Sequence, residues 1–312
     1  EASHQPLKAF PIDIYSGKSL GCKRKSNQLW RKRKMKMLFS TYIIVSVLLL
    51  FNCNLNPNPP WDGQIDKKTY TIEDIEFRMV LAPGGYTFPV GAWDDERSFI
   101  EDSYWISETE VPWSLWDTVY TWAIDPARDS SQYTFQNPGR QGGADGSDPV
   151  GDKSHPVTTV SWIDAVVWCN ALTEWVNHYK ETDLAPVYVF NEEVLRDSRS
   201  EEKDLDNPDS ILYTVTQTDG TGFRLPSSME WEMAARWRSD DINTVPGFEN
   251  PWFTRGKSGS GATATIEEDQ EAQALVAVFQ SDSTAPVKSK IANSLGLYDT
   301  SGNVSEWCFD RY

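Results

Sequence analysis

Three short segments with helix start signals are separated by long stretches without helical or strand periodicity, and this alternation constrains the fold more than any other feature. The irregular stretches cover residues 125–152, 191–209 and 258–265 and are rich in Gly, Ser, Asp or charged side chains. A compact domain with this much loop either displays its loops on a stable core or is disordered in part. No internal repeat is visible, and about 260 residues beyond the N-terminal segment predict one large domain.

The three helical segments begin at Pro112, Ser161 and Ser227. Pro suits a first helical position, because the N–H group that it lacks would have no partner there. Ser161 with Asp164, and Ser227 with Glu230, have the spacing of a capping box, in which side chains satisfy the first free N–H groups. Helical periodicity then predicts an inward apolar face for each segment. These faces comprise Leu115, Trp116, Val119, Trp122 and Ala123, then Ala165, Trp168, Cys169, Leu172, Trp175 and Val176, and finally Trp231, Ala234 and Ala235.

The first ordered elements are predicted to be strands. Residues 77–81 form an apolar run, Pro83-Gly84-Gly85 interrupts it, and residues 86–91 resume it. Two such runs around a break that contains Gly and Pro indicate a β-hairpin. The folded domain is accordingly predicted to cover residues 73–312.

Residues 1–53 have the pattern of a targeting segment. A basic run at residues 31–36 precedes residues 37–51, which carry no charge. This uncharged stretch is too short for a membrane span and has the length of a signal-peptide core. Met35 or Met37 is a more natural start than Glu1, so residues 1–34 are interpreted as untranslated upstream sequence.

Cys53 follows the apolar stretch in a setting that resembles a lipoprotein processing site, although Asn52 stands where a small residue is usual. The sequence therefore predicts that Cys53 is acylated and becomes the mature N-terminus; the alternative is a plain anchor helix. Residues 54–72 begin with a run of Asn and Pro and are predicted to form a flexible tether. These features together predict a lipid-anchored protein of the cell envelope, in the periplasm or on the outer surface.

Charge separates the N-terminal segment from the domain. Residues 1–52 hold ten of the basic side chains and two of the acidic ones, and the remainder has a net charge near −25. Nucleic acids and anionic lipid surfaces both attract basic protein surfaces. We therefore expect no nucleic-acid partner and no membrane contact other than the lipid anchor.

Five strings carry a family resemblance, and their order along the chain makes it specific. They lie in residues 79–91, 106–111, 155–170, 223–236 and 293–307, and the last includes Gly296-Leu297-Tyr298-Asp299 and Gly302-Asn303-Val304-Ser305-Glu306-Trp307. Over roughly residues 77–312 the chain resembles the formylglycine-generating enzyme, or sulfatase-modifying factor, family. The resemblance implies an α+β domain with a C-type-lectin-like fold and long irregular loops.

The resemblance also implies one metal site. A structural calcium of the family would be held here by the side chains of Asp299 and Glu306 and by the backbone carbonyls of Gly302 and Val304. Carboxylates and carbonyls are the oxygen ligands that Ca²⁺ prefers. The alternative is a tight turn in which the Asp299 side chain bonds to the backbone.

The resemblance implies no copper site and no catalytic residue in this chain. Oxidising members of the family use two copper-binding cysteines that lie well beyond the segment matched by residues 302–307, and the chain ends at Tyr312. Cys169 and Cys308 do not match those positions; they are predicted either to form a disulfide or to remain buried free thiols. The chain is interpreted as a fragment, with a truncated, non-functional copy as the alternative.

Two functions remain open at this stage. The first is a non-catalytic module that displays loops and binds an unknown protein or glycan ligand. The second is an oxidase that converts a substrate cysteine to formylglycine, with the catalytic part missing from this sequence. The first is favoured because no catalytic residue can be named.

Overall fold

A three-stranded antiparallel sheet, built from the first, second and fifth strands, lies near the start of the described residues. The structure is a computed structural model that describes residues 61–143, 148–199 and 209–310. The chain divides into two units, Glu1–Asn56 and Pro57–Tyr312, and every described residue belongs to the second.

The predicted acylation site, Cys53, lies outside the described residues. No helix within the described ranges combines the length and the apolar character needed to cross a membrane.

Short strands and helices alternate with long loops, as the irregular stretches of the sequence predict. The strands are β1 (Lys67–Ile72), β2 (Ile75–Ala82), β3 (Tyr86–Val90), β4 (Glu96–Ile100), β5 (Tyr104–Ser107), β6 (Arg140–Gln141), β7 (Val157–Thr158), β8 (Tyr188–Phe190), β9 (Glu193–Val194), β10 (Thr216–Gln217), β11 (Trp237–Arg238) and β12 (Trp252–Phe253). The helices are α1 (Trp113–Ala123), α2 (Trp162–Lys180), α3 (Ile211–Thr214), α4 (Ser228–Arg236) and α5 (Gln270–Val276), with a 3-10 helix at Pro126–Ser131. The sheets follow the orders β1-β2-β5 and β10-β8-β9, with two-stranded pairs β3-β4, β6-β7 and β11-β12.

The helix starts are confirmed. At α2, Ser161 Oγ accepts the backbone N–H of Asp164 at 3.2 Å, and Asp164 Oδ2 accepts the backbone N–H of Ser161 at 3.0 Å. Ser227 and Glu230 form the same reciprocal pair at α4. Pro112 is the N-cap residue of α1 rather than its first helical residue, and no side chain caps that helix.

The described residues form three apolar clusters, and the two larger ones hold most of these elements together. In the first, α1 packs on α2, and the rings of Trp116 and Trp168 stack with centroids 5.0 Å apart. In the second, Trp237 lies between the hairpin β3-β4 and strand β12, where its ring meets Tyr86 and Phe253 edge-on. The large aromatic content of the sequence is thus used mainly in the core.

The predicted hairpin between residues 77–81 and 86–91 is wrong. Strand β2 pairs with β1 and β5, whereas β3 pairs with β4. The break between β2 and β3 is a close crossing, because a Cβ atom on Gly84 would lie 2.2 Å from the backbone of Asp102. The chain therefore changes sheets at this glycine instead of folding back on itself.

The ordered domain also begins earlier than residue 73. Strand β1 occupies the end of the segment predicted as a tether, and it pairs with β2 from Lys67↔Val80 to Ile72↔Ile75. Its side chains are mostly exposed and polar, so it lacks the apolar alternation by which a strand is recognised in a sequence. Its position is fixed by pairing with β2.

The prediction that Trp231 faces inward is wrong. The buried face of α4 is made by Met233, Ala234 and Ala235, and Trp237 continues it after the helix ends. Trp231 is only half-buried, and its Nε1–H donates to Glu306 Oε2 at 2.6 Å. The helix is nine residues long, so a small rotation decides which of its side chains reach the core.

Candidate metal centre

The predicted ligands lie in an irregular segment, residues 298–306, which we call the acidic turn. Asp299, Gly302 and Asn303 have φ values of 60°, 84° and 58°. A Cβ atom on Gly302 would lie 2.0 Å from the carbonyl oxygen of Val278, so only glycine fits this left-handed position. Asn303 N–H donates to the same carbonyl at 2.8 Å. The acidic turn is therefore held against the chain that follows α5.

Asp299 is buried, with 4% of its surface exposed. Its Oδ2 accepts the backbone N–H of Lys288 at 2.9 Å, whereas Oδ1 is buried and has no hydrogen-bond partner among the described residues. Burial raises the pKa of Asp299, and the backbone N–H and the charge of Lys288 oppose this rise. A buried carboxylate oxygen without a donor is costly unless a cation or water binds there.

Glu306 closes the acidic turn on its other side. Its Oε2 accepts the indole N–H of Trp231, and the residue as a whole is exposed. The protein atoms around the carboxylate withdraw it from water and, together with Asp299, raise the pKa of Glu306 to about 7 against the effect of the Trp231 bond. The charge of Asp299 thus adds to the raised pKa of Glu306, as expected for two like charges in one turn.

Glu110, between β5 and α1, is a third carboxylate that sequence reasoning missed as a site residue. It is 4% exposed, and it accepts hydrogen bonds from Asn303 Nδ2 at 2.7 Å and from the backbone N–H of Val304 at 3.0 Å. Burial and the neighbouring carboxylate of Glu306 raise its pKa to about 9, with a smaller contribution from Asp299. The sequence shows two acids within residues 106–111 as candidates for such a site, but only the fold shows which of them contacts the acidic turn.

The other acid of that segment, Glu108, has a different environment. It is equally buried, and its two oxygens pair with Lys67 at 2.8 Å and with Lys288. Burial alone would raise the pKa of Glu108, but the two ammonium groups outweigh it and lower the value. Between residues 292 and 310 the sequence holds no Lys or Arg, so the acidic turn itself supplies no such compensation.

The acidic turn fits a calcium ion better than it fits a soft metal. Among the described residues no three His, Cys, Asp or Glu side chains converge as a complete metal-binding group. Asp299 and Glu306 offer two carboxylates, and Ca²⁺ completes its shell readily with backbone carbonyls and water. The unpartnered Oδ1 atom of Asp299 is the feature that a cation would satisfy.

Comparison with known families places this geometry in context. Residues 67–312 match the family described as Sulfatase-modifying factor enzyme 1-like domain. The chain belongs to this family. The match begins at the first residue of β1 and includes the acidic turn, so the predicted family and its α+β fold are confirmed.

Two curated relatives of this sulfatase-modifying factor domain differ in their described roles. The chain is similar to Chaperone protein LppX of Paenibacillus barcinonensis, with 34% identity over 178 residues, 53% of this chain and 56% of LppX. It is also similar to Formylglycine-generating enzyme of Streptomyces coelicolor, with 37% identity over 111 residues, 34% of this chain and 33% of the enzyme. The chain thus spans about half and about a third of the lengths of these relatives.

A solved structure supports the same fold. The domain is similar to the crystal structure of CarF, with a TM-score of 0.52 and 27% sequence identity, over 80% of this chain and 82% of CarF. The likeness therefore extends over most of both chains.

The described cysteines of this sulfatase-modifying factor domain do not fit a copper–thiolate site. Both Cys169 and Cys308 are free thiols, so the predicted alternative of a disulfide between them is not formed. Burial raises the pKa of each thiol to about 12, and for Cys308 the acids Glu306, Asp310 and Glu230 add to the rise. Metal binding and nucleophilic attack both need the thiolate, which such surroundings disfavour.

An open cavity of about 380 Å³ provides a second candidate site. It lies among the β1–β2 turn, α1 and α2, and we call it the helix cavity. Its lining combines carboxylates, hydroxyls and aromatic rings: Glu73, Asp117, Thr118, Thr121, Trp122, Asp125, Trp175 and Tyr179. The guanidinium group of Arg128 already lies 3.5 Å from the centroid of the Trp122 ring, so this aromatic wall binds a cation of the chain itself.

Proposed function

We propose that this sulfatase-modifying factor domain is a non-catalytic module, anchored by lipid in the cell envelope, that binds a protein ligand. The observation that carries the proposal is the similarity to LppX over 178 residues. A chaperone recognises another protein without changing its covalent structure, and the protonated state of the described thiols is compatible with that role.

The helix cavity is the proposed contact for basic side chains of the ligand. Neither Glu73 nor Asp117 has a side-chain hydrogen bond or an ion pair within the described ranges, and Tyr179 also lines the cavity. Carboxylates attract an ammonium or guanidinium group, and aromatic faces add a cation–π contribution. The net charge near −25 of the chain beyond residue 52 also favours a basic partner and speeds its approach.

Reversing one charge in the helix cavity tests this contact. We expect Asp117→Lys to weaken the binding of a fluorescent oligolysine peptide about tenfold, a change of about 1.4 kcal/mol, as measured by anisotropy at physiological salt. Asp219→Lys changes the net charge equally at an exposed residue outside the cavity and should weaken binding much less. Equal losses in the two variants, or binding of glycans but not of the peptide, would contradict the proposed contact.

The runner-up is a formylglycine-generating oxidase, and the similarity to the Streptomyces coelicolor enzyme favours it. That similarity covers a third of this chain, against about half for LppX. The buried environment of Cys169 and the acids around Cys308 favour thiols over thiolates. We therefore rank binding above oxidation.

Lipid attachment at Cys53 is part of the proposal. The apolar residues 37–51 and the basic run before them support a signal peptide. We expect a fatty-acid probe to label the protein when it is expressed from Met35 in a diderm bacterium, and we expect Cys53→Ser to remove the label. Cys308→Ser should keep it, and labelling of Cys53→Ser as strong as that of the wild type would exclude acylation at this residue.

Calcium in the acidic turn is also part of the proposal. Asp299 and Glu306 would supply carboxylate ligands, and Gly302 and Val304 would supply backbone carbonyls. The bound ion would offset the mutual repulsion of the carboxylates and stabilise the turn between α5 and the end of the described chain. Its role is structural, because the acidic turn then keeps one shape while other surfaces bind the ligand.

A further inference from the structure

Glu110 connects the acidic turn to a distant part of the domain. It lies just before α1 and accepts two hydrogen bonds from the turn, at 2.7 Å from Asn303 Nδ2 and at 3.0 Å from the Val304 N–H. One carboxylate therefore fixes both a side chain and a peptide unit of a segment that has no regular secondary structure. The N–H group that it holds belongs to Val304, and the carbonyl of the same residue, in the next peptide unit, is one of the proposed calcium ligands.

The charge of Glu110 is not balanced by any basic side chain in the described part of the protein. Glu108, two residues earlier and equally buried, pairs with Lys67 and Lys288. Hydrogen bonds from neutral groups satisfy the oxygens of Glu110, but they cannot cancel its charge. Without a counter-charge the ionised form of the buried side chain is costly, in line with its raised pKa, and a cation nearby would stabilise that form.

A second observation points to the same cation. Oδ1 of Asp299 is buried and unpartnered among the described residues, while Oδ2 is fixed by the backbone of Lys288. The free oxygen and the uncompensated charge of Glu110 belong to different parts of the chain, yet both contact or form the acidic turn. One divalent ion in the turn would bind the free oxygen of Asp299 and would also compensate the charge of Glu110.

We propose that Glu110 is a positioning residue for the calcium site: it holds Asn303 and the Val304 peptide in the conformation that binds the ion, and the ion compensates its charge. This inference rests on the calcium site proposed above. Residues that orient metal ligands through hydrogen bonds commonly change metal affinity about 10–100-fold when they are replaced. Glu110 therefore sets the affinity of the acidic turn without being a ligand.

The test compares two buried glutamates of one short segment by isothermal titration of the metal-free full chain with Ca²⁺. Glu110→Gln keeps the size of the side chain but loses its charge and one acceptor, and we expect calcium binding to weaken about 10–100-fold. The melting temperature in chelator should change little. Glu108→Gln loses two ion pairs with lysine, so it should lower the melting temperature with and without calcium and weaken calcium binding much less than Glu110→Gln does.

Each outcome decides a different question. Wild-type affinity in folded Glu110→Gln would overturn the positioning role and leave the calcium site standing. Absence of calcium binding by the wild type would overturn both. If Glu110→Gln does not fold, Glu110→Asp replaces it: the charge stays, but the shorter side chain cannot reach both donors, so about tenfold weaker binding is expected. Wild-type affinity of Glu110→Asp would then refute the inference.

Discussion

Replacing Trp237 with Ala is expected to lower the free energy of unfolding by about 3–5 kcal/mol, the largest effect of a single substitution that we predict. Trp237 is fully buried, and its ring meets Trp61, Tyr86 and Phe253 edge-on with centroids 5.1–5.8 Å apart. Truncation would remove these contacts and leave a cavity that the surrounding strands cannot close. Chemical denaturation followed by fluorescence measures the change.

Trp231→Ala is the matched control, because Trp231 lies on α4 six residues before Trp237 and the sequence pattern predicts that it faces inward. Its half-buried ring contributes less packing, and its hydrogen bond to Glu306 is worth about 1.5–3 kcal/mol at most, as for other bonds to charged groups. We therefore expect a clearly smaller loss of stability. If Trp231→Ala destabilised the domain as much as Trp237→Ala, the assignment of the buried face of α4 would be incorrect.

Calcium is expected to raise the melting temperature of the wild-type chain by roughly 5–10 °C at a concentration about a hundredfold above its dissociation constant. Binding to the folded state alone contributes about 2.7 kcal/mol under that condition. Chelator should reverse the shift, and Na⁺ at equal ionic strength should not restore it, since a monovalent ion compensates the carboxylates poorly. Differential scanning calorimetry with and without chelator provides the measurement.

The double variant Asp299→Asn with Glu306→Gln should lose this calcium response. Without calcium it should be no less stable than the wild type, because two repelling charges are gone. Glu192→Gln with Asp219→Asn removes two exposed charges elsewhere and should keep the full response. A calcium shift that survives in the first variant would place the ion at another site.

The helix starts could be predicted from the sequence because capping is local. Ser161 and Asp164, or Ser227 and Glu230, contain within four residues all the groups that the capping box needs. The signal is therefore complete before any tertiary contact forms. The same reasoning gives the number of the longer helices and the approximate position of each.

Strand pairing could not be predicted in the same way. The apolar runs of β2 and β3 look like two halves of a hairpin, but each pairs with a different strand. The close approach of Gly84 to Asp102 accompanies the change from one sheet to the other. No pattern within residues 77–91 predicts this contact, because Asp102 lies outside that segment. β1 escaped recognition because it is a polar strand at the edge of its sheet.

The candidate metal centre was predictable in part. The family strings contain Asp299 and Glu306, so a local motif was enough to name them. Glu110 was missed as a member of the centre because its contact with Asn303 joins residues 193 positions apart. Glu108 and Glu110 look alike in the sequence, although in the structure lysines surround the first and the acidic turn surrounds the second.

Whether this domain binds or oxidises is decided most directly by incubating the full chain with copper, oxygen and a sulfatase-derived peptide that contains the substrate cysteine. Mass spectrometry of the peptide gives the readout, and the similar enzyme of Streptomyces coelicolor is the positive control. We expect the peptide to keep its thiol in the presence of this chain while the control converts it to formylglycine. Formation of formylglycine by this chain over time would contradict a non-catalytic role.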